Sequence, residues 1–166
     1  MSRYNIEKMR KKIQLLQDNV RYEHTLGVMY TASSLAMRYD EDIENALVAG
    51  LLHDLAKGFS TNLTHASLSA TIAEEEFGVK DTYVTDAIRY HTTGRPNMTL
   101  LDKIIYIADY IEPNRDKAPN LAKLRQLAFE NLDECLSLIL KDTLDYLKEQ
   151  EKEIDSMTEQ AYEFYK

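Results

Sequence analysis

The stretch AGLLHDLAK, residues Ala49–Lys57, is an apolar helical segment that ends in three ionisable side chains. His53, Asp54 and Lys57 place an imidazole, a carboxylate and an ammonium group within five positions. Burying such groups without partners costs several kcal/mol. The stretch therefore predicts a helix that packs closely through Ala49 and Gly50 and whose end meets a charged partner.

Three-and-four spacing of apolar residues predicts helices along almost the whole chain. We expect them over 4–17, 19–39, 41–56, 65–77, 82–91, 99–111, 121–129 and 131–152, with a short last helix after a polar break at 155–158. Only 5 glycines and 3 prolines occur in 166 residues, which leaves little turn chemistry for a many-stranded sheet. The sequence therefore predicts an all-α fold, and its length suits a single domain over 1–166.

The composition excludes several classes of protein. The formal net charge of −8 disfavours a general DNA-binding protein, which needs a basic surface. The central apolar run 47–52 is far too short to span a bilayer. Cys135 is the single cysteine, so no internal disulfide can form, and its leucine-rich surroundings favour a small buried residue. We expect a cytoplasmic protein that binds neither DNA nor membranes.

Ionisable side chains lie on the apolar stripes of five predicted helices. They are His24, His53 with Asp54, His65, His91 and Asp109. Any one histidine is more often a satisfied core residue, but the same placement of all four histidines and two aspartates is hard to explain in that way. Imidazole and carboxylate ligands together suit iron, manganese, zinc or cobalt. The pattern predicts a buried site for a divalent metal.

Basic residues stand beside these candidate ligands. Arg21 shares the helix face of His24, and Lys57 follows His53 by one turn, while Arg95, Arg115 and Lys103 lie near the others. A solvated surface position explains Arg95 and Lys103 at least equally well. Cations close to a metal offset the charge of phosphate groups, so the arrangement indicates a polyphosphate substrate in an otherwise acidic protein.

The order and the surroundings of these residues resemble a known family. The order His24, His53-Asp54, Asp109 is similar to the H…HD…D signature of HD-domain metal-dependent phosphohydrolases. The runs RYEHTLGV (21–28), AGLLHDLAK (49–57) and AIRYHTTGRPNMTLLDKIIYIADYIEPNR (87–115) resemble the YqeK family, over about residues 10–130. Members of that family hydrolyse diadenosine tetraphosphate symmetrically to two ADP. The resemblance implies an HD-domain helical bundle with a buried metal site and this activity.

The resemblance also implies roles for individual residues. His24, His53, Asp54 and Asp109 match the metal ligands, and His65 and His91 match histidines that face a second ion or a phosphate. Asp54, His65 and Lys57 are the candidate catalytic residues. The positions that match nucleotide contacts are Arg21, Asp54, Leu55, Ala56, Lys57, His65, His91, Thr92 and Arg115, with a looser match at Asp155, Ser156, Met157 and Thr158.

Two departures from the family pattern bear on the substrate. The loop 58–64 is shorter than the family usually carries, and Ala66 follows His65 where the family has glycine. A reduced loop would leave less cover over the phosphates, whereas a segment missing from this sequence would also explain its length. The substrate range therefore stays open at this stage.

Several alternatives remain open. The same site could hydrolyse another nucleotide, or serve a non-catalytic nucleotide-sensing module in which the metal is structural; a third alternative is a set of ordinary core polar residues without metal. We expect one or two divalent ions, with iron favoured and manganese, cobalt, magnesium or zinc as alternatives. The expected ligands are a dinucleoside polyphosphate or ADP. A homodimer is compatible with the sequence, which does not decide the oligomeric state.

Overall fold

The protein is described by a computed structural model that covers residues 2–61 and 64–166. These residues form nine α-helices and no β-strand, so the all-α prediction is confirmed. The helices are α1 (Ile6–Leu16), α2 (Asn19–Tyr39), α3 (Ile43–Leu52), α4 (His65–Glu76), α5 (Thr82–Arg89), α6 (Leu100–Ile111), α7 (Leu121–Glu130), α8 (Leu132–Glu149) and α9 (Ser156–Tyr165). Within these ranges, none of the helices combines the length and apolar character that a bilayer-spanning segment requires.

Helix boundaries follow local capping chemistry. Asp18, Asp42 and Asp81 each accept a backbone hydrogen bond at the start of α2, α3 and α5. Side-chain acceptors satisfy backbone donors that have no partner within the first turn of a helix. Asp42, the last residue of the acidic run 40–42, therefore caps α3.

Helices α2, α3 and α6 form the centre of the bundle, where α2 packs along both α3 and α6. The core is made of fully buried aliphatic residues such as Val28, Leu52 and Ile105. Gly50 on α3 lies directly against the α2 backbone, since a Cβ atom built there would be 2.8 Å from Met29 Cα. The small-residue stripe thus allows the close helix contact that the sequence predicts.

Helix α3 is shorter than predicted. It ends at Leu52, and residues 53–58 form successive turns where the periodicity predicts helix up to 56. Leu55 and Lys57 donate backbone hydrogen bonds three residues back, to Leu52 and Asp54, and the Ala56 N–H donates to Ser69 Oγ on α4. The apolar spacing continues past Leu52, but the Ala56 N–H donates to Ser69 of α4 and not to the Leu52 carbonyl, as it would in a continued helix. These turns let adjacent residues face different directions at the end of α3.

Candidate metal centre and substrate cavity

The predicted ligands converge from five helix ends or faces on one buried point. His24 comes from α2, His65 from the first turn of α4 and Asp109 from the last turn of α6. His53 and Asp54 directly follow α3, and His91 follows α5. His53, Asp54, His65 and His91 are almost fully buried, whereas the side chains of His24 and Asp109 are 17% and 20% exposed. The structure therefore brings together all six predicted metal-site residues.

Three ligand atoms form a first group on the cavity side. His24 Nε2 lies 3.0 Å from Asp109 Oδ1, and His53 Nε2 lies 3.6 Å from the same oxygen. These three residues have the spacing that one metal ion could bridge. A single cation shared by two imidazole nitrogens and a carboxylate oxygen is a common protein metal arrangement.

Asp54 is the centre of a second group. Its Oδ2 is 3.4 Å from His53 Nε2, and its Oδ1 is 3.3 Å from His91 Nε2 and 3.4 Å from His65 Nε2. His53, Asp54 and His91 again have metal-ligand spacing. Because the Thr92 hydroxyl lies 3.2 Å from Nε2 of both His65 and His91, it completes the polar wall of this group.

The far side of each of three imidazoles is held by a hydrogen bond. The Nδ1 atoms of His53 and His91 lie 2.7 Å from the carbonyl oxygens of Gly50 and Ile88, and His24 Nδ1 lies 3.0 Å from Glu112 Oε1. With Nδ1 held by this hydrogen bond, Nε2 faces the centre and is the nitrogen that a metal would bind. Such outer partners fix the tautomer and the ring orientation of metal-ligating histidines.

The donor set fits a divalent metal ion. His24 Nε2, His53 Nε2 and Asp54 Oδ1 are buried and make no hydrogen bond within the described residues. Buried polar atoms are almost always satisfied, so three such atoms around one point need an explanation. Coordination of a cation by two imidazoles and a carboxylate would satisfy all three, which makes this cluster a candidate metal centre.

Charges within the centre favour ionised carboxylates. Burial would raise the pKa of Asp54 and Asp109, yet the neighbouring imidazoles hold both well below the ordinary value. Burial would lower the pKa of His53, but Asp54 and Asp109 raise it to about 10, whereas burial lowers the pKa of His91. Both aspartates are therefore negatively charged at neutral pH, the state that binds a cation.

A cavity of about 1020 Å³ opens from this centre to solvent. Its lining contains His24, Asp54, His91, Thr92 and Asp109, and also the cations Arg21, Lys57, Arg115 and Lys117. A volume of this size is at the upper end for small-molecule sites. The cavity thus joins the candidate metal centre to four cationic side chains, in a lining that also contains the carboxylates of Asp18, Glu112, Asp116 and Asp142.

The predicted cations are not all in the cavity. Arg115 pairs with Asp109 Oδ1 at 3.2 Å, and Arg21 donates to the Lys57 carbonyl, so both lie at its mouth. Arg95 instead pairs with the buried carboxylate of Asp102 at 2.8 Å, and Lys103 pairs with Asp133. Of the two alternatives left open for Arg95 and Lys103, the structure does not support phosphate binding, because neither residue lines the cavity and each pairs with a carboxylate elsewhere in the fold.

Aromatic residues divide in the same way. Tyr106 and Tyr110 line the cavity, together with Tyr146 of α8. Tyr90 is outside it, since the Arg95 guanidinium stacks on its ring 4.3 Å from the centroid. Tyr106, Tyr110 and Tyr146 are therefore the aromatic rings available to stack on a base in this cavity, although Tyr106 is only 5% exposed.

Some predicted nucleotide contacts lie away from the cavity wall. Leu55 packs against the core, and Ala56 is buried with its N–H on Ser69. Residues Asp155–Thr158 begin α9, where Asp155 caps the helix and Thr158 is buried, and none of them lines the cavity. Their contact with a nucleotide stays a prediction. Two residues of the short loop 58–64, Asn62 and Leu63, are outside the described residues.

Sequence reasoning missed Glu112, Asn114 and Ser69. Glu112 contacts His24, Asn114 contacts Glu112, and Ser69 holds the turn that presents Asp54 and Lys57. The signal for the first was present in the run ADYIEPNR, where a glutamate precedes Pro113 three residues after Asp109. The contact itself joins residues 24 and 112, and helical spacing carries no information about such distant pairs.

Comparisons with known proteins agree with this geometry. A family model described as HD domain matches residues 21–114. The chain is 41% identical over 148 residues to a symmetrical bis(5'-nucleosyl)-tetraphosphatase of Bacillus subtilis, covering 76% of this chain and 79% of that protein. A protein of the same description from Staphylococcus aureus is 33% identical over 184 aligned positions, covering 97% of this chain and 94% of the relative. Because 184 positions exceed the 166 residues of this chain, the relative has internal residues without a counterpart here.

A solved structure gives the same result at the level of the fold. The crystal structure of a predicted HD superfamily hydrolase involved in NAD metabolism from Clostridium acetobutylicum superposes with a TM-score of 0.90. It shares 34% sequence identity and covers 98% of this chain and 97% of its own. From the matched HD domain, the identities and the converging histidines and aspartates, the chain belongs to the HD-domain hydrolases of the YqeK type.

Proposed function

We propose that this protein is a metal-dependent hydrolase that splits diadenosine tetraphosphate into two ADP molecules. The observation that carries the proposal is the cluster of unsatisfied ligand atoms on His24, His53 and Asp54. This cluster adjoins a cavity whose lining includes the cations Arg21, Lys57 and Arg115. The names of the Bacillus subtilis and Staphylococcus aureus relatives, symmetrical bis(5'-nucleosyl)-tetraphosphatase, support this substrate and this bond.

In the reaction, water adds to one of the two inner phosphorus atoms and the bond to the central bridging oxygen breaks. One ADP takes up the oxygen of water and the other keeps the bridging oxygen, so the two products are identical. His24, His53, Asp54 and Asp109 would hold the ion, with His65 and His91 available for a second one. When bound, a divalent ion supplies Lewis acidity and brings the pKa of water close to neutrality.

The residues of the chain supply the remaining steps. Asp54 and His65 would orient water and accept its proton, a role that the 3.4 Å distance between the Asp54 carboxylate and the His65 imidazole supports. The Thr92 hydroxyl belongs to the same wall, 3.2 Å from Nε2 of both His65 and His91. Arg21, Lys57 and Arg115 line the cavity and would offset the negative charge that develops on the phosphates as the bond breaks.

Other features belong to the same proposal. We take the ion to be iron, with manganese, cobalt, magnesium or zinc as alternatives. His53 belongs to both candidate ligand groups, so the centre could hold one ion or two neighbouring ions that share this residue. We further propose a single domain over 1–166, a cytoplasmic location, no binding to DNA, and contacts of Asp155–Thr158 with the nucleotide. A homodimer is left to measurement.

A product profile tests the proposed function. The metal-free protein is loaded in turn with Fe²⁺, Mn²⁺ and Co²⁺ and given diadenosine tetraphosphate, and the nucleotides are separated by chromatography. We expect ADP as the sole product. ATP with AMP, or no turnover with any of these ions, would contradict the proposal, whereas a preference for another nucleotide in a substrate panel would favour the alternative hydrolase.

A pair of lysine variants tests whether the cavity lysine, Lys57, binds the phosphates. Lys57→Ala should raise KM for diadenosine tetraphosphate, because Lys57 lines the cavity. Lys103→Ala is the matched control, since Lys103 pairs with Asp133 and is not among the lining residues. Equal KM values in the two variants would show that Lys57 does not contribute to phosphate binding. A nucleotide-sensing module without turnover would bind the dinucleotide and leave it intact in both.

A further inference from the structure

Glu112 is a buried carboxylate that contacts a metal-site histidine from outside the centre. It caps the C-terminus of α6 and is 1% exposed. Its Oε1 lies 3.0 Å from His24 Nδ1, and its Oε2 accepts hydrogen bonds from the backbone N–H and the side-chain amide of Asn114, at 2.8 and 3.1 Å. Every contact of this carboxylate is thus made by a donor or by a ring nitrogen that can be one.

We infer that Glu112 is a positioning residue: it holds the His24 ring with its proton on Nδ1, so that Nε2 is free to bind the metal. This inference rests on the metal centre of the proposed function. The carboxylate can only accept, and Asn114 supplies donors alone to its other oxygen. Of the two neutral tautomers of His24, only the one in which Nδ1 donates and Nε2 keeps its lone pair satisfies Glu112.

Gly27 shows that the α2 backbone is shaped around this carboxylate. Gly27 lies on α2 three residues after His24, and a Cβ atom built there would be 2.1 Å from Glu112 Oε2 and 3.0 Å from its Cδ. Any side chain at residue 27 would displace the carboxylate or separate it from His24. Glu112 can contact Nδ1 only because residue 27 has no side chain.

His24 differs in this respect from the other two fixed imidazoles. His53 and His91 direct Nδ1 to backbone carbonyls within their own turns, at Gly50 and Ile88. His24 directs Nδ1 to a charged group 88 residues away. A carboxylate partner increases the basicity of a ligating imidazole more than a neutral carbonyl does, and the loss of such partners typically costs 10–100-fold in metal affinity.

Cobalt binding provides a test that does not depend on turnover. Co²⁺ is titrated into the metal-free protein, its absorption bands report affinity and ligand geometry, and unfolding of the metal-free protein reports stability. We expect Glu112→Gln and Glu112→Ala to weaken Co²⁺ binding about 10–100-fold. The glutamine variant is nearly isosteric but can no longer accept from both His24 and Asn114 through two oxygens.

Gly27→Ala gives a second, independent variant that leaves every polar group in place. It should weaken Co²⁺ binding in the native background and have no further effect in Glu112→Ala, where the colliding carboxylate is gone. Asp102→Asn is the matched control for a buried acid, because Asp102 pairs with Arg95 and contacts no metal-site residue in the part of the chain that is described. It should lower stability and leave Co²⁺ affinity within twofold of the native value.

The outcomes separate the inference from the proposed function. Suppose that the native protein binds Co²⁺ and that the affinities of both Glu112 variants and of Gly27→Ala lie within twofold of the native affinity. The inference is then overturned, and the metal site stands. An additive effect of Gly27→Ala in the Glu112→Ala background also overturns it. If the native protein binds no Co²⁺, the metal centre itself is wrong and the inference falls with it.

Discussion

Replacement of Gly50 by alanine tests the close contact between α2 and α3. The added Cβ would lie 2.8 Å from Met29 Cα, 3.1 Å from Met29 N and 3.3 Å from Val28 O. Ordinary carbon–carbon contacts begin near ~3.5 Å, so the two helices must separate by roughly 0.7 Å. Because the obstructing atoms are backbone, no side-chain rotation can relieve the contact.

Two effects of this substitution have opposite signs. Alanine favours a helix over glycine by about 0.5–1 kcal/mol. Overpacking a core costs about 1–3 kcal/mol, and a backbone collision belongs at the upper end of that range. We therefore expect Gly50→Ala to lower the free energy of unfolding by about 2 kcal/mol, which corresponds to a Tm lower by about 4–8 °C for a chain of this length.

The same displacement should weaken metal binding. His53 follows Gly50 by three residues and directs Nδ1 to its carbonyl, while its partner His24 stands on α2. Urea unfolding of the metal-free protein and a Co²⁺ titration measure the two effects. Gly78→Ala is the control, because a Cβ there meets nothing within 4 Å and only the left-handed φ of 70° is strained. It should lose stability and keep Co²⁺ affinity. A Gly50→Ala protein that equals or exceeds the native stability would refute the packing argument.

Three further variants test other parts of the structure. Metal at about 100 times Kd should raise the free energy of unfolding of the native protein by about 2.7 kcal/mol. Asp54→Ala should abolish this gain, and an equal gain in the variant would contradict a role for Asp54 as ligand. Arg95→Ala leaves the buried carboxylate of Asp102 without its 2.8 Å partner, so urea unfolding should show a loss of about 3 kcal/mol; no loss would mean that another group neutralises Asp102. Hydrogen bonds from the Ser2 hydroxyl and the Tyr4 N–H lower the pKa of Glu44 from 4.5 to about 2. A carboxyl group whose pKa is lower in the folded state stabilises the fold at pH values above its pKa in the unfolded chain. Glu44→Gln should therefore be less stable than the native protein at pH 6, with the difference shrinking as pH falls from about 4.5 to about 2; a difference independent of pH would contradict this.

Much of the fold and the ligand set could be predicted from local sequence. Apolar spacing locates the helices, because a helix buries one face whatever its neighbours are. The same spacing places His24 and Asp109 on buried faces, and a buried ionisable group requires a partner. Four histidines and two aspartates with this property therefore indicate one shared centre on the strength of local pattern alone.

The partner of each charged side chain was decided only by tertiary structure. Arg95 and Arg115 each follow a predicted helix by a few residues, yet Arg95 neutralises the buried Asp102 whereas Arg115 reaches the cavity beside Asp109. Helical periodicity also predicts that α3 continues past Leu52. The helix ends at Leu52 because Ser69 of α4 accepts the hydrogen bond of the Ala56 N–H. Such choices depend on distances of a few ångströms between segments far apart in the chain.

The His24 position illustrates both levels. Its residue type and its place on α2 follow from the sequence, and so does the expectation that it binds a metal. The direction of its Nε2 atom does not, because that is set by Glu112 at the end of α6 and by the missing side chain of Gly27. Local sequence thus determined which residues form the centre, and packing between distant helices decided which atoms of those residues face it.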